Sequence, residues 1–419
     1  MNCRKNNEKR VVVTGMGVVS AVGTGLKEFW NNLISGKSGV SRIDSFDVEK
    51  IDSKIAAQIK NFDPYVFMDA KQVKRMDRFA QFGVAATILA LEDSKLKIDA
   101  SNENDVGVYI GSGVGGLMTL ENQHKILLAR GADRVSPFLI PMMICNMASA
   151  QASIISGAKG PVSTVTTACA AASNSIGDAF EIIKRGAAKV MIAGGSEAAI
   201  TPMGMSGFSS MNAMSKRNDE PEKASRPFDR DRDGFVMGEG GGILILEDLN
   251  YAISRGANIY AEMFGYGMSG EAYHMTALEE SGKNVVRCIK NCLSEGNIDL
   301  GEIDYLNAHG TSTPLNDIVE SVAIRACFGE YADKINISST KSMTGHCLGA
   351  AGAIEAVATI MAVANDIIPP TINLENQDEK CTLNYTPNIS VKRKVNAAIS
   401  NSMGFGGHNV TIGFKKYLD

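Results

Sequence analysis

β-branched apolar runs alternate with longer stretches of helical character along most of the chain. Residues 11–14 form such a run, followed by Gly15 and Gly17 and then by a helix predicted over 26–34. Residues 106–110, 162–167, 190–193 and 243–246 read as further strands, and 173–184 as a helix. This alternation predicts an α/β architecture with buried sheets. The strand, small-residue turn and helix of 163–185 recur at 335–363, and residues 11–17 are echoed by 260–267. The echo suggests two related halves, 1–258 and 259–419, divided after a helix ending at Arg255-Gly256. With no Pro- or Ser-rich linker between them, the halves are expected to pack as one body.

Composition narrows the function. A chain of 419 residues can bury a large core, and 44% hydrophobic with 21% charged residues is ordinary for a soluble globular protein. A formal net charge of −4 provides no global attraction for nucleic acid. No run is expected to reach the roughly 18 apolar residues of a membrane span. The first ten residues are polar and basic, unlike a secretory leader. Eight scattered cysteines read as reduced thiols, so the expected location is cytoplasmic, with a plastid-like organelle after transit-peptide removal as the alternative. Cys288 and Cys292 share a helix face, but nothing nearby completes a metal site, and no metal is expected.

One cysteine stands apart. Cys169 lies in Thr166-Thr167-Ala168-Cys169-Ala170-Ala171-Ala172-Ser173, where a strand passes into a helix. The unpaired N–H groups and positive dipole end of that helix favour thiolate over thiol. A small buried core cysteine is the competing reading. Two further segments weigh against it: Asn307-Ala308-His309-Gly310-Thr311-Ser312-Thr313, and Ser339-Thr340-Lys341-Ser342-Met343-Thr344-Gly345-His346-Cys347. Each places one of only five histidines among small and hydroxylated residues after a strand, which is not a core pattern.

Together these segments resemble the Cys-His-His condensing enzymes, the β-ketoacyl-[acyl carrier protein] synthases of types I and II, most like type II. The resemblance runs from Val11 to the C-terminal Gly404-Phe405-Gly406-Gly407-His408-Asn409. It implies a thiolase-like fold of two α/β halves layered αβαβα. It also implies fatty-acid elongation by decarboxylative Claisen condensation of an acyl-enzyme with malonyl-[acyl carrier protein], without a cofactor. By the same resemblance Cys169 is the nucleophile, and His309 and His346 act in decarboxylation. Lys341 belongs to the active site with Glu355 as its partner. The amides of Cys169 and Phe405 form an oxyanion hole, and the Phe405 ring gates the acyl pocket. Thr311 and Thr313 contact the pantetheine arm, and Val114 lines the acyl tunnel.

The implied partners are acyl carrier protein bearing acyl and malonyl phosphopantetheine thioesters, and a second copy in a homodimer. Neither nucleic acid nor membrane is expected to bind. Lys71, Lys74, Arg75 and Arg78 resemble the family's carrier-docking patch, with Arg130 and Arg134 as additions, although a lysine-bearing helix can equally be a solvated face. The charged stretch 219–233 is either solvated surface or, as in the family, support for the active site.

Several readings compete. The match G-x-G-x-x-G at 111–116 is weak evidence for a dinucleotide, because no following helix with an acidic ribose partner is evident; a tight turn is the plainer reading. A thiolase would place a second cysteine in the segment 402–407, which has none. The alternatives that remain are a non-catalytic chain-length-factor-like partner and a type II polyketide ketosynthase. Residues 277–284 depart from the family's Pro- and Gly-rich loop, which leaves substrate approach there open.

Overall fold

The computed structural model describes residues 9–418. Ten strands form one continuous path of hydrogen bonds. They are β1 (Val11–Ser20), β2 (Val106–Gly111), β3 (Val162–Ser163), β4 (Val190–Glu197), β5 (Gly240–Asp248), β6 (Ala261–Gly270), β7 (Tyr305–Asn307), β8 (Asn336–Ser338), β9 (Ala397–Gly404) and β10 (His408–Lys415). The order β8-β7-β9-β10-β6-β1-β5-β4-β2-β3 is symmetric about its centre. In each half an antiparallel group leads outward to two parallel strands. The halves join edge to edge where Val11, Val12 and Val13 pair with Met263, Glu262 and Ala261. The fold is thus the thiolase-like, duplicated α/β arrangement, with β1 answering to β6, β2 to β7 and β3 to β8.

Two helices occupy the middle layer. α1 (Ala171–Lys184) and α2 (Ala351–Asn365) touch each other and strands of both halves. Burial on every side of their first two turns explains the small residues there. It also corrects the expectation about membrane spans. Residues 348–365 do reach span length and apolarity, with a mean hydropathy of 1.5, but 83% of the stretch is buried inside the fold. The outer layers include Arg78–Ser94 against the N-terminal half and Lys283–Gly296 against the C-terminal half. Cys288 and Cys292 both face inward on the latter, Cys288 donating to the Gly267 carbonyl at 3.2 Å.

Strand 162–167 is shorter than its β-branched pattern predicts. Only Val162 and Ser163 pair, because β3 is the sheet edge and the chain leaves it to build the turn at Cys169. The stretch 219–233 is not a solvated loop through its centre. Arg226 pairs with Asp229 at 2.9 Å, both buried, and Arg232 lies 3.6 Å from the buried Asp317. Its charges neutralise one another inside the protein, which is how charge becomes tolerable there.

Candidate active site

The two halves contribute matching strained turns. Ala168 (φ 50°) opens a short 3-10 turn that runs into α1, and Leu348 (φ 47°) opens a matching turn that runs into α2. Left-handed backbone at a residue with a β-carbon costs about 1–3 kcal/mol. Cys169 follows the first such residue, at the head of α1. His346 precedes the second by two positions, its backbone pinned by its own N–H to the Val236 carbonyl (2.7 Å) and by Gly238 N–H to its carbonyl (2.9 Å).

The elements bring Cys169, His309, His346, Thr311, Thr313 and Phe405 onto one cavity of about 400 Å³. The imidazole centroids are 5.3 Å apart with planes at 87°, and Phe235 stands edge-on to His346 at 5.6 Å. The backbone amides of Phe405 and of Cys169 itself favour negative charge on Cys169 Sγ. Phe405 is half-buried, its ring 6.3 Å from that of Phe208. The Thr311 and Thr313 hydroxyls bond each other at 2.9 Å.

Lys341 is fully buried between two partners, an ion pair with Glu355 and a contact from Nζ to His309 Nδ1 at 3.4 Å. An ammonium can only donate, so Nδ1 accepts and the His309 proton resides on Nε2. Burial first, then Lys341, then His346 hold His309 well below the usual imidazole range; burial and Lys341 do the same for His346. Both rings are therefore neutral at pH 7. His346 Nδ1 is buried with no hydrogen-bond partner among the described residues.

Cys169 departs from the sequence-based expectation. Its place at a helix start predicts a thiolate, yet burial pushes the thiol up to about 12; Lys341 and the two amides pull down, and the charge of Glu197 pushes up. Removing a charge from water outweighs a helix terminus. The resting form is a thiol beside two neutral imidazoles.

Two buried carboxylates escaped the sequence reading. Glu320 accepts from the amides of His309 (2.9 Å) and Gly310 (2.8 Å) and so holds the histidine loop. Glu197 accepts from the loop after β2 and from Gly349. Burial pushes both up to about 7. Neither lies in an element predicted from the sequence; the structure places Glu320 in the helix Pro314–Phe328 and Glu197 at the end of β4.

Other predicted residues lie elsewhere. Val114 does not line the cavity and is 39% exposed. A helix, Leu117–Arg130, does follow the glycine-rich match, contrary to expectation, but the Gly113 and Val114 amides are taken by Glu197 and cannot cradle a phosphate. Lys71, Lys74 and Arg75 are exposed on and just after the short helix Ala70–Val73. Arg75 stacks over Phe138 at 4.6 Å. Arg78 leaves this cluster, turning inward to Glu239 at 2.9 Å because that buried carboxylate needs a cation. In the loop 277–284, Ala277 and Leu278 form part of the cavity wall.

Residues 8–252 match the family model described as beta-ketoacyl synthase, N-terminal domain, and residues 260–375 match beta-ketoacyl synthase, C-terminal domain. The chain is 53% identical over 98% of its length, and 99% of the relative's, to 3-oxoacyl-[acyl-carrier-protein] synthase 2 of Synechocystis. It is 47% identical over 98% of its length, and all of the relative's, to the protein of the same name in Coxiella burnetii. Among solved structures it is similar to a ketosynthase in complex with its type II polyketide acyl-carrier protein, with a TM-score of 0.89 and 36% identity over 98% of this chain and 100% of that one.

Proposed function

This chain belongs to the β-ketoacyl synthase family, as a condensing acyltransferase of type II, and we propose that its residues elongate acyl chains as follows. The Cys169 thiol loses its proton to a neighbouring neutral imidazole as Sγ attacks the incoming acyl thioester, and the carrier thiol leaves. The tetrahedral oxygen is met by the Phe405 and Cys169 amides, donors of the kind worth about 3–4 kcal/mol each in a dry site. Malonyl thioester then loses carbon dioxide. Its enolate oxygen is stabilised by N–H groups of His309 and His346, and the enolate carbon attacks the acyl-Cys169 carbonyl and expels the thiolate. The product is the 3-oxoacyl thioester, and fatty-acid elongation is the activity.

Burial and then Lys341 keep His309 neutral, Lys341 fixes its proton on Nε2, and Glu355 balances that cation. The observation that carries this reading is the convergence of Cys169, His309, His346 and Phe405 on one cavity. The acyl and malonyl donors are carried by acyl carrier protein, a partnership that the complex of the similar ketosynthase with its own carrier supports; the exposed cations Lys71, Lys74 and Arg75 are its docking patch. The protein acts as a homodimer. Exposed Leu128, Ile140 and Ile154 and the open edge strand β3 are apolar and unpaired groups that a second copy would cover.

Intact-protein mass spectrometry after mixing with palmitoyl-carrier thioester and then malonyl-carrier tests the chemistry. One acyl mass, gained only when Cys169 is present and discharged by malonyl-carrier, is expected. A Cys169→Ala protein that still condenses refutes the assignment.

A further inference from the structure

Arg232 is buried and takes no part in the condensation steps. Its Nε donates to the Thr313 carbonyl at 3.1 Å and its Nη2 to the Pro314 carbonyl at 2.8 Å, while Nη1 reaches the Asp229 carbonyl and Asp378 Oδ2, both at 2.7 Å. Asp317, completely buried, stands 3.6 Å from Nε. The stretch that carries Arg232 grips the preceding residue of the same wall as well. Arg226 N donates to Ser312 Oγ at 3.0 Å, and Gly234 N to the Ser312 carbonyl at 3.1 Å. Ser312 has a φ of 68°, and left-handed backbone at a residue with a β-carbon persists only where its surroundings hold it. One loop thus clasps residues 312–314 through both backbone and side chain.

What the clasp holds faces the cavity. Thr313 occupies the N-cap position of the helix Pro314–Phe328, where a threonine hydroxyl ordinarily accepts from the first helical amides, yet it makes no capping bond. Its hydroxyl bonds that of Thr311 instead, at 2.9 Å, and both residues line the cavity that holds Cys169. Along this wall burial falls from Thr311 through Thr313 to the exposed Pro314 and Leu315, while Cys169 and His309 lie buried at the other end. The hydroxyl pair therefore stands between the rim and the nucleophile. One O–H is used within the pair, which leaves the other O–H and free lone pairs for the amide groups of a chain passing down the cavity.

We propose that Arg232 is a positioning residue for the amide-bearing arm of the thioester donor: by fixing the carbonyls of Thr313 and Pro314 it sets the Thr311 and Thr313 hydroxyls against that arm. The proposal rests on the condensing role of Cys169, to which the arm brings the acyl group through this cavity. A lysine in place of Arg232 keeps a cation beside Asp317 and Asp378, but its single nitrogen lacks the planar fork that spans two carbonyls in fixed directions. The charge balance of the interior is then retained while the wall slackens at Thr313. A donor with amide groups senses the change, and a donor without them does not.

The test compares octanoyl-pantetheine with S-phenyl thiooctanoate as acyl donors to Cys169, read as kcat/KM of acylation by intact mass in the full-length wild type, Arg232→Lys and Asp378→Ala. Both esters carry the same acyl group and neither brings carrier protein, so each variant's ratio, taken against wild type, reports the arm. Asp378 is partly exposed, and its loss removes one anchor of the guanidinium, so Asp378→Ala reports even where Arg232→Lys does not fold. The pantetheine-to-phenyl ratio is expected to fall roughly tenfold in Arg232→Lys and roughly threefold in Asp378→Ala, through a higher KM rather than a lower kcat. A ratio equal to wild type in the variants, whatever their absolute rates, overturns the proposal, because a purely structural role slows both esters alike. A wild type that loads from octanoyl-carrier but gains nothing from the pantetheine arm overturns it too. One that loads from none of the three donors instead overturns the condensing reading beneath it.

Discussion

Gly404→Ala separates acyl transfer from decarboxylation. Gly404 is the last residue of β9, and a β-carbon there would stand 2.5 Å from the Thr167 carbonyl oxygen, 3.2 Å from Ala170 N and 3.3 Å from Cys169 N. An ordinary contact begins near 3.4 Å, so strand and turn must part by about 0.9 Å. All of these neighbours are backbone, and the turn is braced by Ala170 N–H to the Thr167 carbonyl at 3.1 Å, so the displacement falls between the Phe405 amide and Sγ. Overpacking of this kind costs about 1–3 kcal/mol of stability. Misaiming one oxyanion donor costs about 2.7–4 kcal/mol in the acyl-transfer transition state, a fall of roughly 100-fold or more. Carbon dioxide release from malonyl thioester, which relies on His309 and His346 from other segments, should fall less than about tenfold. Rapid-quench acylation read by intact mass, and trapped carbon dioxide, measure the two arms. Gly207→Ala is the control, since nothing lies within 4 Å of its β-carbon position. Acylation within about threefold of wild type, or equal losses in both arms, would refute the placement of the oxyanion hole.

Three further outcomes follow from the charges. Because burial pushes the Cys169 thiol up to about 12, its alkylation by iodoacetamide should rise about tenfold per pH unit from pH 7 through 9 without levelling; a plateau near pH 7 contradicts the burial argument. His309 and His346 are held well below 6.5, so the unfolded chain binds more protons as pH drops, and stability is present above 6.5 and lost below it. Each ring should cost about 1.3 kcal/mol between pH 7.0 and 5.5, and His309→Asn or His346→Asn should remove that share of the acid loss in denaturant melts. Lys341→Met strands Glu355 and should destabilise by about 3–5 kcal/mol, while Lys341→Met with Glu355→Gln recovers most of the stability but not decarboxylation; recovery of both would make the pair purely structural.

The chain's own pattern determined the α/β alternation and the three segments that meet at the site, and it suggested the duplication, because strand period, glycine turns and small hydroxylated runs are local properties. Cys169, His309 and His346 were legible for the same reason: each sits in a short stretch whose composition no ordinary core or surface requires. What the fold alone decided were burial and long-range partners. Arg78 reads as one more surface cation until Glu239, 161 positions away, draws it inward. Glu197 and Glu320 read as ordinary acidic residues until backbone amides from distant loops close around them. The protonation of Cys169 turned on the same distinction. A helix end, visible in sequence, supplies at most about 2 kcal/mol toward the thiolate, whereas desolvation, which depends on what packs overhead, shifts a buried group by up to about 3–5 pH units.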